Sequence, residues 1–225
     1  REILRQRELP YHQVFSGHVV QFGAAKLRVL WPDRRYLSLP PGNDGRALND
    51  RSIVLRLEIP GFSALFTGDI ESDIDSRILP LIRGPVDLLK SPHHGSKTSA
   101  SSALLRALDP RVAVVSVGAV NSYGHPSVET LQRLGERGAT VERTDRDGTV
   151  SISVSLTDPA QMVIEDARGT RAAPARSSVG RRAPTSAPVD ASPPVRAATV
   201  GSVAQVAGCP IPRARIRPWE RHRFS

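Results

Sequence analysis

An α/β fold is what this 225-residue sequence predicts, and three observations carry that reading. Short apolar runs of strand character alternate with segments of helical periodicity between residues 52 and 156. Residues 112–117 are mostly β-branched and apolar, the composition of a strand covered on both faces. Ile70, Ile74, Ile78 and Ile82 recur at intervals of four, one face of a helix.

Taken in order, residues 19–31 read as two short strands turning near Gly23 and ending at Trp31-Pro32. Residues 33–51, with Pro40-Pro41 and Gly42-Asn43-Asp44-Gly45, read as an exposed loop. Residues 52–59 and 62–66 form the arms of a hairpin around Pro60-Gly61, followed by Thr67-Gly68-Asp69 and the isoleucine-faced helix over 70–82. A short buried strand over 85–89 leads through Lys90 to Ser91-Pro92-His93-His94-Gly95-Ser96. Ser99 or Ser101 caps a helix running to Leu108. After the strand at 112–117 comes a loop over 118–126, then a helix capped by Ser127 and stopped by Gly138. Strands at 140–143 and 150–156 close the pattern, separated by the turn Thr144-Asp145-Arg146-Asp147-Gly148.

Charge divides the chain. Residues 1–165 hold 20 Lys/Arg against 19 acids, whereas residues 166–225 hold eleven arginines against three acids. The net charge of +9 therefore belongs to the C-terminal segment and is no sign of a nucleic-acid surface on the folded part. Ala, Pro, Arg and Ser dominate that segment and apolar periodicity vanishes. We expect a partial domain over residues 1–160 and a disordered tail over 161–225. No apolar run approaches the roughly 20 residues of a membrane span, so the isolated chain is expected to be soluble. The single Cys209 excludes an intrachain disulfide and a cysteine-rich zinc site. Opening on Arg1 rather than Met, with no secretory signal, the sequence reads as a fragment or a processed product.

Three successive strands lead to a residue able to bind metal. Residues 62–66 lead to Asp69, 85–89 to His93 and His94, and 112–117 through a loop to His125. Sites in layered α/β folds gather where loops leave the carboxyl ends of strands. Carboxylate with imidazole suits zinc, manganese or iron. Gly68, Gly95 and Gly124 stand beside the candidates and permit close backbone approach or positive φ. Singly, an Asp after a Gly is a turn residue and a histidine is a polar surface group, the reading that His12, His18 and His222 receive. Residue types alone leave both interpretations open.

Several strings then point one way. Asn49-Asp50-Arg51-Ser52-Ile53-Val54-Leu55-Arg56-Leu57, Phe66-Thr67-Gly68-Asp69, residues 89–96 (LLKSPHHGS from residue 88), Asn121-Ser122-Tyr123-Gly124-His125-Pro126 and residues 143–148 occur in that order. Together they resemble the C-terminal metallo-β-lactamase-fold hydrolase domain of ComEC-type competence proteins, over roughly residues 15–156. The Thr-Gly-Asp string alone is shared across the whole superfamily. The resemblance implies the C-terminal half of an αββα sandwich and two divalent metal ions, zinc or manganese, in the intact domain. It implies a metal-bridging Asp69, one of His93 and His94 as a direct ligand, and His125 as ligand or proton donor. Asn49 falls where many relatives keep a metal-binding histidine. Ser96, Lys97 and Thr98 are phosphate contacts or a solvated cap, and Asp145 or Asp147 is the acceptor for a ligand histidine's other N–H or a plain turn residue.

By the same resemblance the reaction is metal-assisted phosphodiester hydrolysis, in which metal lowers the pKa of water. DNA is then the substrate, and a membrane-spanning competence region of the parent protein the partner. The domain would be extracytoplasmic, and no small-molecule cofactor is expected. The superfamily's His-x-His-x-Asp-His string is absent from residues 1–225. The chain thus carries about half of a two-metal ligand set, should bind metal weakly if at all, and should be inactive or nearly so by itself. Two other functions fit the sequence. One is a soluble hydrolase of small phosphate esters or lactones, set apart by the lack of an upstream multi-spanning region. The other is a non-catalytic module whose Arg-rich tail binds nucleic acid in a salt-dependent manner.

Overall fold

The computed structural model describes residues 3, 6–8, 12–175 and 215–217. Its main sheet contains β1 (Val19–Phe22), β2 (Ala25–Trp31), β3 (Val54–Ile59), β4 (Phe62–Phe66), β5 (Leu88–Lys90), β6 (Val112–Val115) and β7 (Thr140–Arg143). These lie side by side in chain order. The first four pair antiparallel, joined by turns at Gly23 and Pro60-Gly61 where the register closes at Phe22 with Ala25 and Ile59 with Phe62. From β4 onward the pairing is parallel. Parallel neighbours need a crossover, and a helix occupies each of the three: α3 (Ser72–Ile78) precedes β5 and α4 (Ser102–Leu108) precedes β6. A third, α5 (Val128–Glu136), precedes β7.

Alternation along the strands sorts the core into two layers. Leu65, Leu89, Ala113 and Val115 face Ile74, Ile78, Leu104, Leu105, Leu108 and Leu134 of the helices. Ala64, Leu88, Val112 and Val114 point the other way, against Val150, Ile152, Met162 and Ile164. The second group belongs to or adjoins a small antiparallel sheet of β8 (Ser151–Val154), β9 (Met162–Asp166) and β10 (Gly169–Ala172). The architecture is helix, sheet, sheet, and it accounts for the unbroken apolar composition of β6.

Several expected boundaries move, each for a local reason. The helix expected over 70–82 spans only Ser72–Ile78 and continues as a 3₁₀ turn, because Pro80 has no N–H to donate. The strand expected at 85–89 begins at Leu88, since the Val86 amide is taken by the Leu108 carbonyl at 2.8 Å. The expected loop over 33–51 contains two single-turn helices, α1 (Arg34–Ser38) and α2 (Gly45–Asn49). Asp33 accepts from the Tyr36 amide at 2.6 Å and Asp44 from the Ala47 amide at 2.7 Å. The turn at 144–148 holds one helical turn, α6 (Thr144–Asp147).

Ordered structure also runs past residue 160, where the tail was expected to begin. β9 and β10 lie beyond it, with Met162 and Ile164 fully buried. Their apolar positions are too few and too closely followed by Arg-Gly and Pro to stand out from the sequence beyond them. A further strand, β11 (Arg215–Arg217), pairs antiparallel with β1 at the sheet edge. The rest of the expected tail, with Cys209, Trp219, His222 and Phe224, falls outside the described residues.

A chain ended at residue 160 loses the cover over Ala64, Leu88, Val112 and Val114, whereas one ended at residue 175 keeps it. The shorter chain should unfold at clearly lower urea. Within the longer one, Ile164→Ala should cost about 2–5 kcal/mol. Equal urea midpoints for the two truncations would show that the second sheet is dispensable.

Candidate metal centre

The carboxyl ends of β4, β5 and β6 open on one rim because the three strands run parallel. Beyond β4 the chain passes Thr67-Gly68 and presents Asp69. Gly68 has φ near 56°, and a Cβ there would lie 2.5 Å from the Ser52 Cβ, so both conformation and space demand glycine. The Asp69 amide donates to the Ser52 hydroxyl at 3.0 Å. Its carboxylate stands 3.5 Å from the Lys90 ammonium, which also donates to the Gly68 carbonyl at 3.0 Å. Burial lowers the Lys90 pKa, while Asp69 acts in the opposite direction.

Beyond β5 comes a left-handed turn. His93 (φ 44°, ψ 49°) and His94 (φ 54°, ψ 23°) both occupy the left-handed region, and Gly95 follows with φ 78°. Such conformations cost about 1–3 kcal/mol per non-glycine residue and cluster at functional sites. The turn sends the two imidazoles to different partners. His94 Nδ1 donates to the Ser116 carbonyl at 2.6 Å, which fixes the tautomer and leaves the Nε2 lone pair free. That Nε2 lies 3.7 Å from Asp69 Oδ2. A carboxylate oxygen and an imidazole nitrogen so placed are donor types that would together suit a divalent ion.

His93 Nδ1 meets a carboxylate oxygen of Glu71 at 2.6 Å, and the Thr98 hydroxyl donates to the other oxygen, also at 2.6 Å. His93 Nε2 faces the Asn49 amide nitrogen at 3.4 Å. Each imidazole thus has Nδ1 on an acceptor, and Nε2 turns towards Asp69 in His94 and towards Asn49 in His93. His125 arrives from the loop after β6, its ring centroid 5.5 Å from that of His93. Burial, then the adjacent His93 and His94, push its pKa below the ordinary value.

Asp69, His93, His94 and His125 lie on the same rim, with His94 Nε2 3.7 Å from Asp69 and the His93 ring centroid 6.2 and 5.5 Å from those of His94 and His125, but no three of them bring ligand atoms within 4.8 Å of one another. Ser96, Lys97 and Thr98 are put to different uses. The Ser96 and Thr98 hydroxyls lie 3.1 Å apart and support Glu71, whereas Lys97 reaches solvent and pairs with Glu129 at 2.8 Å. Asp145 and Asp147 do not serve the histidines: Asp145 pairs with Arg143 at 2.6 Å, and Asp147 accepts from the Arg143 amide at 2.8 Å. The acceptors are instead Glu71 and the Ser116 carbonyl. Glu71 was missed, although Ile70 between it and Asp69 is fully buried. Residues two apart along an extended segment point the same way, so this alternation was the available signal.

The string at 49–52 has a residue-by-residue explanation. Asn49 faces His93, Asp50 accepts from the Glu71 amide at 3.0 Å, Arg51 donates to the Leu39 and Pro40 carbonyls, and Ser52 receives the Asp69 amide. Trp31 anchors this string by donating to the Asp50 carbonyl at 2.6 Å. A separate carboxylate group, Glu142, Asp147 and Asp166, also lies within metal-like spacing. Arg168 and Arg171 already stand among these oxygens, with Arg171 at 2.5 Å from Glu142 and 2.9 Å from Asp166. Those guanidiniums hold Asp166 well below the usual carboxylate range, and the cluster fastens β9–β10 to β7.

The fold and site define an α/β protein with a carboxylate–imidazole centre on the carboxyl rim of parallel strands. Three of its curated relatives are competence proteins of the ComEC type. The chain is 32% identical over 147 residues to ComE operon protein 3 of Bacillus subtilis, a match covering 65% of the chain and 18% of that protein. It is 35% identical to Recombination protein 2 of Haemophilus influenzae (55% and 16%) and 33% identical to Competence protein ComA of Neisseria gonorrhoeae (47% and 16%). The chain therefore spans less than a fifth of each of these relatives. No family model matches it. Among solved structures, a protein described as a metal-dependent hydrolase from Parabacteroides distasonis aligns with a TM-score of 0.38 at 17% identity, over 62% of this chain and 60% of that one.

Gly95 tests the turn. A Cβ there would lie 2.7 Å from the Pro126 Cβ and 3.1 Å from Val115 Cγ1. Gly95→Ala should lower stability by about 1 kcal/mol or more, read in urea. His125 gives a pH test. Its lowered folded pKa means stability is unaffected above about pH 6.5 and is lost as pH falls from there through the folded value. His125→Gln should shrink the difference in urea midpoint between neutral and mildly acidic buffer, and NMR titration should place the His125 midpoint below that of a free histidine.

Proposed function

We propose that this chain forms part of the hydrolase domain of a DNA-uptake competence protein, and that the intact domain cleaves phosphodiester bonds of DNA. The observation that carries the proposal is the 3.7 Å approach of His94 Nε2 to Asp69 Oδ2, with His94 Nδ1 locked on the Ser116 carbonyl. The donor set suits zinc or manganese: one hard carboxylate oxygen and one neutral imidazole nitrogen. When bound, a divalent ion supplies charge stabilisation at the phosphoryl oxygens and lowers the pKa of water.

The protein's own residues set the remaining terms. Asp69 and His94 would hold the ion, and Lys90 contacts the Asp69 carboxylate at 3.5 Å. Glu71 fixes His93 through Nδ1, so that Nε2 faces the cleft beside Asn49. His125, its pKa lowered by burial and then by His93 and His94, can take the proton released by the attacking water and pass it to the leaving oxygen. Lys97 is the phosphate contact of the 96–98 segment, while Ser96 and Thr98 support Glu71. Two convergent donors are fewer than the three protein ligands of a catalytic zinc site. The remaining ligands, a second ion and the membrane-spanning region are therefore assigned to other parts of the parent protein.

Zinc titrated into the isolated chain should bind weakly, with affinity lost in both Asp69→Ala and His94→Ala. Unchanged binding in either variant removes that residue from the centre. The isolated chain should not cleave DNA at enzymatic rates, and efficient cleavage would falsify the incomplete site. In the full-length parent, the Asp69→Ala change should abolish hydrolysis, an outcome read on labelled single- and double-stranded DNA.

A further inference from the structure

Tyr123 is 81% exposed, although it sits on the loop that delivers His125. Its ring lies nearly parallel to the His125 ring, at 18°, with centroids 6.0 Å apart. The loop is closed by one side chain. Asn121 donates to the Gly118 carbonyl at 3.1 Å and the His125 carbonyl at 3.0 Å, and accepts from the His125 amide at 3.0 Å. Single exposed apolar residues are common and need no explanation. This one differs in its placement, on a tied loop and aligned with a ring that lies beside His93.

From this arrangement we infer that Tyr123 is a base-stacking platform, which takes a nucleobase of single-stranded nucleic acid next to the scissile phosphate. The inference rests on the hydrolase reading above and specifies its substrate. A flat aromatic surface accepts any base, because every base has a π-face, and it gains little from a duplex whose bases are already stacked. Lys97, exposed and paired with Glu129 in the first turn of α5, follows His94 by three residues in the chain and can contact a backbone phosphate. Aromatic and cation together make a short single-strand track, with the base held on one side of the cleft and phosphate in it.

The test separates base from phosphate. Fluorescence anisotropy at low salt compares the full chain binding to oligothymidine of about ten nucleotides with an abasic oligonucleotide of equal length and charge. Any phosphate contact made by the arginine-rich segment is the same for both probes. The chain should prefer oligothymidine by about tenfold or more. Tyr123→Ala should erase that preference without altering abasic binding, and Tyr123→Phe should keep it. Equal affinity of the chain for both probes, no measurable binding of either, or a preference surviving in Tyr123→Ala overturns the inference. Zinc binding to the same proteins is read separately. Metal binding without base preference sinks the platform alone, and base preference without metal binding sinks the hydrolase reading alone.

Discussion

The parallel run from β4 to β6 is the constraint on which the rest of this structure depends. Parallel strands must be joined by crossovers, and here helices supply cover for one face of the sheet. The other face is covered by the three short strands after residue 150. Once both faces are closed, three consecutive strands have no option but to release their chains on the same rim. Asp69, the histidine pair and His125 are therefore neighbours by topology, despite lying up to 56 positions apart in the sequence.

What converts neighbours into a centre is the layer of hydrogen bonds beneath them. His94 is oriented by a backbone carbonyl and His93 by a buried carboxylate, so two adjacent residues of the same type are held by different partners. The left-handed turn that separates them carries a conformational cost of about 1–3 kcal/mol per residue. Charge-assisted hydrogen bonds of about 1.5–3 kcal/mol each are large enough to offset it. Glu71 in turn is held by Thr98 and by the Asp50 contact to its amide, which connects the site to α2 and to Trp31.

The strand-end residues were legible in the sequence because strand runs and Gly-flanked polar residues are local signals. The role of Glu71 was not, because it depends on which carboxylate lies across from His93, a contact spanning 22 residues. Asp145 and Asp147 were plausible partners by composition, yet arginines within three residues of each claim them first. The two single-turn helices between Asp33 and Asn49 were hidden by proline and glycine, while the capping aspartates that start them were in plain sight. The end of the domain was obscured for a different reason. β9 and β10 alternate over only a few residues, and the arginines that bind Glu142 and Asp166 resemble in composition those that follow.

The turn at residues 92–95 also limits what this segment can become. Outside glycine, the left-handed region is entered most readily by Asn, Asp and His, and least by β-branched side chains. Backbone shape thus filters mutational drift at positions 93 and 94 towards side chains that still carry a nitrogen or oxygen donor. The lineage can lose the chemistry of this centre by small steps in donor type, but it can replace the centre with apolar packing only by refolding the turn.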